Sequence, residues 1–212
     1  MEIKAVKEKI LTDEKFVISE IKKIQTLYKL KGVIRYNQAR RIESHTESVA
    51  EHIYAMHILV DYFLPLEDEK GRWNKLKIHQ MVQYHDLDEI ETGDIVGYRK
   101  TNQQQAVEYE MSQKVTAKLS CVLQAEIQKI IAEYHHQQTI EARFAKAIDK
   151  IEPVFHLYNE NGKIIMAELK TTKEQHDSVK IPYVKDFPVL KRFAEVSTDI
   201  FEKEGFYHPS SC

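Results

Sequence analysis

The 212 residues include only 6 glycines, 5 prolines and 2 cysteines. So few turn formers argue against a fold of many short strands and point to helices. The two cysteines, Cys121 and Cys212, lie far apart, which fits reduced thiols in a cytoplasmic protein better than a disulfide framework. A membrane span needs roughly 18 to 20 consecutive apolar residues. The best run here, residues 53–66, is interrupted by His57 and Asp61. Residues 1–7 have neither an apolar stretch nor a small-residue cleavage site, so no secretory leader is expected there. An excess of one charge is lacking too. With 31 basic and 33 acidic side chains the formal charge is −2, and no global basic field points to a nucleic-acid polymer as partner.

Hydrophobic residues make up 42% of the chain and charged residues 30%, an ordinary balance for a globular protein long enough to enclose a core. Alternating β-branched runs are scarce, whereas apolar residues recur at three and four. Ile10, Phe16, Val17, Ile21, Ile24, Leu27 and Tyr28 predict one long amphipathic helix ending near Gly32. A second begins around Thr46 or Ser48, with Glu47 and Glu51 in its first turn, and ends before Pro65. A third covers about 74–89 and stops in the loop Thr92-Gly93-Asp94; others cover about 104–119, 124–135 and 140–158. Asn159-Glu160-Asn161-Gly162 reads as a break, followed by terminal helices over about 164–177 and 189–203. With no repeat and no linker, the expectation is an all-α fold in one domain, residues 1–212, with a core over about 30–160 and terminal helices packed on it.

His85-Asp86 closes a helix that is apolar at Leu76, Ile78, Met81 and Val82. Neighbouring residues on a helix diverge by about 100°, so both reach one ion only at a helix end or distortion. An imidazole nitrogen with a carboxylate oxygen suits Mn²⁺, Fe²⁺, Co²⁺, Ni²⁺, Zn²⁺ or Mg²⁺. Upstream, His52 follows Glu47-Ser48-Val49-Ala50-Glu51. Downstream, Asp149 stands between apolar neighbours in Ala145-Lys146-Ala147-Ile148-Asp149-Lys150-Ile151-Glu152. A carboxylate on a mostly apolar helix needs a partner. A shared cation is one such partner, and a salt bridge to Lys146, Lys150 or Arg143 is another; the pattern leaves both open.

Taken together, three segments resemble the HD-domain superfamily of metal-dependent phosphohydrolases, and within it the 5′-deoxynucleotidases of bacteria and eukaryotes. They are Arg41 with Glu47-Ser48-Val49-Ala50-Glu51-His52; His85-Asp86 with Glu89 and Gly93-Asp94-Ile95; and Thr139, Glu141-Ala142-Arg143-Phe144 and Ile148-Asp149-Lys150. The match covers about 30–152, more than half the chain. The resemblance implies an HD-type helical bundle and one divalent metal ion, held by His52, His85, Asp86 and Asp149. It also implies a homodimer that removes phosphate from nucleoside 5′-monophosphates, preferring deoxyribose.

Glu89, four residues after His85 and three after Asp86, falls near the metal face of a helix, and the resemblance gives it the attacking water as general base. It likewise points Arg35 and Arg41 to the phosphate and Asp94 to the substrate, where Asp94 accepts from a sugar hydroxyl, orients the leaving group or simply caps the next helix. Two departures bear on the sugar. The Trp that crowds the 2′ position in related deoxynucleotidases is matched by Gln38, and Val96-Gly97-Tyr98-Arg99-Lys100 lacks the family's usual Pro.

The same ligand set would also serve a phosphodiesterase, a nucleoside polyphosphate hydrolase, or a non-catalytic nucleotide-binding domain; Glu89 argues against the last. His45, His57, His79 and His156 read as packing residues. His135-His136 reads as an exposed helix C-terminal cap, Trp73 as an anchor at a helix start, and Cys121 as a non-nucleophile.

Overall fold

Short polar residues decide where the helices begin. The structure is a computed structural model describing residues 3–36 and 47–209. Helix α1 spans Ile3–Thr12 and α2 spans Glu14–Ile24, with the Phe16 amide donating to Asp13 at 3.2 Å. The predicted single helix is therefore divided, because a carboxylate beside free amides favours a new start. Its remaining apolar residues continue as a 3-10 turn, Leu27–Gly32.

Helix α3 spans Val49–Glu67 and opens with a capping box, in which the Glu51 amide donates to Ser48 Oγ (3.3 Å) and the Ser48 amide donates to the Glu51 carboxylate (2.6 Å). The helix runs through Pro65, where the sequence predicts a stop. Proline in the last turn removes one bond, to the carbonyl of Asp61, a residue exposed to solvent.

Helices α4, Lys75–Tyr84, and α5, Glu89–Thr92, replace the predicted continuous helix and leave residues 85–88 as a turn. Then come α6, Asn102–Thr116, α7, Cys121–His136, and α8, Ile140–Leu157.

The predicted break at 159–162 is instead a helix start. Asn159 accepts from the Asn161 and Gly162 amides and opens α9, Glu160–Leu169. A Cβ on Gly162 would lie 1.8 Å from the Leu157 carbonyl oxygen, so only glycine fits this tight turn. Lys170, at φ 53°, ends α9; a capping box at Thr172 then opens α10, Lys173–Ser178, which divides the predicted helix over about 164–177. Helices α11, Ile181–Val184, and α12, Pro188–Lys203, complete the order.

The described residues contain no strand, only an isolated antiparallel bridge between Ile34 and Ser48. Helix α8 is the hub, packed against α3, α4, α7, α9, α11 and α12. Its Phe144, Ile148 and Ile151 are fully buried, each worth about 1.5–3 kcal/mol of transfer free energy. Trp73 anchors the start of α4 against the rings of Phe144 and Phe187. Phe63 meets Phe193 edge-on at 4.9 Å. A smaller cluster of Leu30, Val49, Leu87, Val115 and Ile127 ties the first segment to α6 and α7.

Candidate metal centre

The bridge at Ile34–Ser48 brings the chain before α3 against its own first turn. The Arg35 amide donates to the Glu47 carbonyl (3.1 Å) and the Val49 amide to the Val33 carbonyl (3.0 Å). Arg35 and Glu47 are thereby fixed beside His52, which is fully buried on α3. His85 caps the end of α4, and its Nδ1 lies 2.8 Å from the Val82 carbonyl. That carbonyl accepts the Nδ1 proton, leaving the Nε2 lone pair free. Asp86 follows in the turn. Asp149 sits in mid-α8, four residues before Pro153, which has no N–H for the Asp149 carbonyl.

These residues converge. His52 Nε2 lies 3.5 Å from Asp149 Oδ1, His85 Nε2 lies 3.9 Å from the same oxygen, and His85 Nε2 lies 3.0 Å from Asp86 Oδ2. Ligand atoms of His52, His85 and Asp86 all lie within 4.8 Å of one another. Both Nε2 atoms are buried without a hydrogen-bond partner. Two buried imidazole Nε2 atoms directed at two carboxylates fit a divalent cation of the N/O-binding type.

The local field favours positive charge. Against burial and the Arg35 charge, Glu152 and Asp149 raise the His52 pKa to about 9. Asp86 and Asp149 are lowered in spite of burial, Asp86 by His85 and Asp149 by Lys150 and Lys146.

Asp149 uses its two oxygens differently: the salt bridges to Lys146 and Lys150 that the sequence left open are present on one, and the other is left to a cation. Oδ2 takes Lys150 at 3.0 Å, Lys146 at 3.2 Å and the Tyr134 hydroxyl at 3.2 Å, while Oδ1 faces the imidazoles.

Behind His52 lies a network that the sequence reading missed. His52 Nδ1 is 2.7 Å from Glu152 Oε2. Arg35 pairs with Glu152 (3.1 Å) and Glu47, and its Nη1 is 2.7 Å from His52 Nδ1. His156, read from sequence as a packing residue, stacks on Tyr36 and lies 3.4 Å from Glu47 Oε2. Glu152, one turn from Asp149 on a mostly apolar helix, carried the signal that could have found it.

A cleft opens beside the ligands. Glu89 lines it, is 4% exposed and has an Oε2 without a partner. Burial, then Asp86 and Asp94, push its carboxyl well above the usual range. Asp88 beside it is raised to about 8 by burial, Asp86 and Glu108. Lys100 lines the same wall and pairs with Glu108 at 2.7 Å.

Asp94 is also on the cleft wall, 4.0 Å from Arg35 Nε. It does not cap α6, a role taken by Thr101. Arg35 reaches the cleft with its guanidinium already shared by carboxylates. Arg41 and Gln38 lie outside the described residues, as do His45 and Cys212.

Two histidine expectations change. His136 is an exposed cap, its Nδ1 2.6 Å from the Ala132 carbonyl, but His135 is half-buried, lines the cleft and is lowered to about 4 by burial and Lys146. His57 and His79 are not isolated: their Nδ1 atoms lie 2.7 Å apart between α3 and α4.

Residues 27–189 match the HD domain family. Among curated relatives, the 5′-deoxynucleotidase hdd1 of Schizosaccharomyces pombe is 31% identical over 123 residues, 55% of this chain and 60% of that protein. The 5′-deoxynucleotidase of Cronobacter sakazakii is 27% identical over 170 residues, 74% and 84% of the two chains. The human 5′-deoxynucleotidase HDDC2 is 28% identical over 127 residues, 59% and 60%. The matched regions thus span about three fifths of several of these relatives. Among solved structures, a predicted metal-dependent phosphohydrolase from Magnetospirillum magnetotacticum superposes with a TM-score of 0.75 at 21% identity, covering 91% of this chain and 98% of that one. An HD-domain phosphohydrolase from Listeria innocua gives 0.58 at 19% identity, covering 87% and 86%.

Proposed function

The chain belongs to the HD-domain family, and on that footing we propose that it is a metal-dependent phosphomonoesterase. Its substrates are nucleoside 5′-monophosphates, deoxyribonucleotides foremost. One observation carries this reading: His52, His85, Asp86 and Asp149 converge at a cleft whose wall also holds the unpartnered carboxylate of Glu89.

When bound there, a divalent ion would polarise a phosphoryl oxygen and lower the pKa of a water. Glu89 accepts the proton of the attacking water. Its Oε2, buried on the cleft wall without a hydrogen-bond partner, leaves it able to take that proton. Lys146 and Lys150 place two ammonium groups at the cleft beside Asp149 and offset the charge of the phosphate. Arg35 contributes as a shared donor, since Glu47 and Glu152 already hold its Nη1, and Arg41 supplies a second guanidinium. Asp94 accepts a hydrogen bond from a sugar hydroxyl.

No helix among the described residues is long and apolar enough to cross a membrane, and we read the protein as cytoplasmic. Tyr62 on α3, Phe155 on α8 and Tyr158 just beyond its end expose apolar surface, which supports the homodimer reading.

Metal analysis and phosphate release from deoxy- and ribonucleoside monophosphates test the assignment, with cyclic and polyphosphate nucleotides in the same panel. Asp86→Ala is expected to lose metal and turnover, whereas Glu89→Gln keeps the metal and loses about 10²–10⁴-fold in kcat. Full activity in either variant, or hydrolysis confined to cyclic or polyphosphate nucleotides, overturns it.

A further inference from the structure

The cleft continues beyond the metal ligands. From His85, Asp86 and Asp149 it runs to a second wall formed by α9, α10 and the residues that join them to their neighbours, where Met166, Leu169, Thr171, His176, Val179 and Lys180 line it. The proposed hydrolysis uses none of these side chains.

Lys180 is 1% exposed, yet none of the ion pairs among the described residues joins its ammonium to a carboxylate. Its Nζ contacts are the ring nitrogens of His176, at 2.8 Å and 2.7 Å. The Tyr207 hydroxyl lies 2.6 Å from His176 Nδ1. Burial pushes Lys180 down to about 7, with Asp177 opposing, and pushes His176 well below its usual value. The wall is held in place by two further contacts. The Tyr98 hydroxyl lies 2.7 Å from Thr171 Oγ1, and the His208 amide donates to the Thr171 carbonyl at 2.8 Å. A buried lysine facing a cavity without a counter-charge is a poor structural element, and it suits a ligand that brings an acceptor.

We propose that Lys180 and His176 form the base-recognition end of the cleft, where Lys180 donates to a carbonyl oxygen of thymine, uracil or guanine and Met166, Leu169 and Val179 cover the faces of the ring. This rests on the phosphomonoesterase reading, which supplies a nucleoside tethered by its phosphate at the metal end. Lysine donates in either protonation state. Adenine has no carbonyl, and in the same orientation its amino group, a donor, would face the lysine and leave only ring nitrogens to accept, so a keto base is preferred by roughly 10-fold or more.

The test is equilibrium binding of thymidine and deoxyadenosine, nucleosides without phosphate, to the metal-loaded protein and to Lys180→Met. Alongside it, kcat/KM is measured for phosphate release from the corresponding 5′-monophosphates. Thymidine is expected to bind at least 10-fold more tightly than deoxyadenosine. Lys180→Met should abolish that preference through weaker thymidine binding and a higher KM, with kcat nearly unchanged. Equal affinities in the wild type, or an unaltered preference in the variant, overturn the proposal. Should Lys180→Met fail to fold, Val179→Phe fills the same space and is expected to weaken both nucleosides; undiminished binding overturns the proposal as well. Nucleoside preference without phosphate release would reject the hydrolase reading alone, and phosphate release without base preference would reject this subsite alone.

Discussion

His52 Nδ1 lies 2.7 Å from Glu152 Oε2, a contact bridging α3 and α8 across 100 residues of sequence. The carboxylate accepts the Nδ1 proton and turns Nε2 toward Asp149 Oδ1. A carboxylate behind a ligating imidazole fixes its tautomer and raises its basicity.

Glu152→Gln is therefore expected to weaken divalent-metal affinity about 10–100-fold while leaving the four ligands in place. Chelator competition on purified protein measures it. Wild-type affinity in the variant would show that His52 is oriented by something else.

Arg35 offsets both Glu47 and Glu152 in an almost dry setting. Arg35→Met takes the guanidinium from both carboxylates and leaves them only the neighbouring imidazoles, and breaking a buried pair in this way costs about 3–5 kcal/mol. Burial already raises the Glu47 pKa above its usual 4.5, and loss of the guanidinium raises it further. A carboxyl raised in the folded state binds protons more readily there, so its penalty is absent below the unfolded pKa and grows as pH rises through the folded one. Urea unfolding at pH 7 and pH 5 should show the deficit of Arg35→Met shrinking at the lower pH.

Lys180 gives the opposite pH dependence. Its folded pKa of about 7 lies below the ordinary 10.5, so the unfolded chain binds more protons between those values and stability rises with pH across that window. Lys180→Met removes the cost of an ammonium buried beside His176 and near Tyr207 and Asp177. Thermal unfolding should therefore favour the variant most at pH 6, with the gap closing toward pH 10. A gap independent of pH would mean that the lysine is charged throughout.

Phe63 is fully buried and meets Phe193 at 4.9 Å and Phe155 at 6.1 Å. Phe63→Ala is expected to cost about 3–5 kcal/mol through lost transfer energy and the cavity left behind. The lost packing is on the α12 side of α3, so metal affinity should survive at temperatures where the variant is folded. Loss of metal in the folded variant would mean that this packing also positions His52.

Local chemistry wrote much of this protein into its sequence. The apolar spacing of α3, α7 and α8, and the cap at Ser48 beside Glu51, are read from neighbouring residues because helix formation depends on neighbours. His85-Asp86 at a helix end was legible for the same reason, and the resemblance of three short segments grouped it with His52, Asp149 and Glu89. Other features depend on what packs across a gap. Asp13 divides a helix that periodicity joins, and Pro65 is tolerated where the chain faces water. Glu47 and Glu152 acquire a role only when Arg35 is folded against α3 by the bridge at Ile34. The sequence contained Lys180 and His176 but no sign of their position, because a buried polar group is defined by the elements that enclose it. Only the packing of α9, α10 and the C-terminal tail around the cleft put that lysine on its wall.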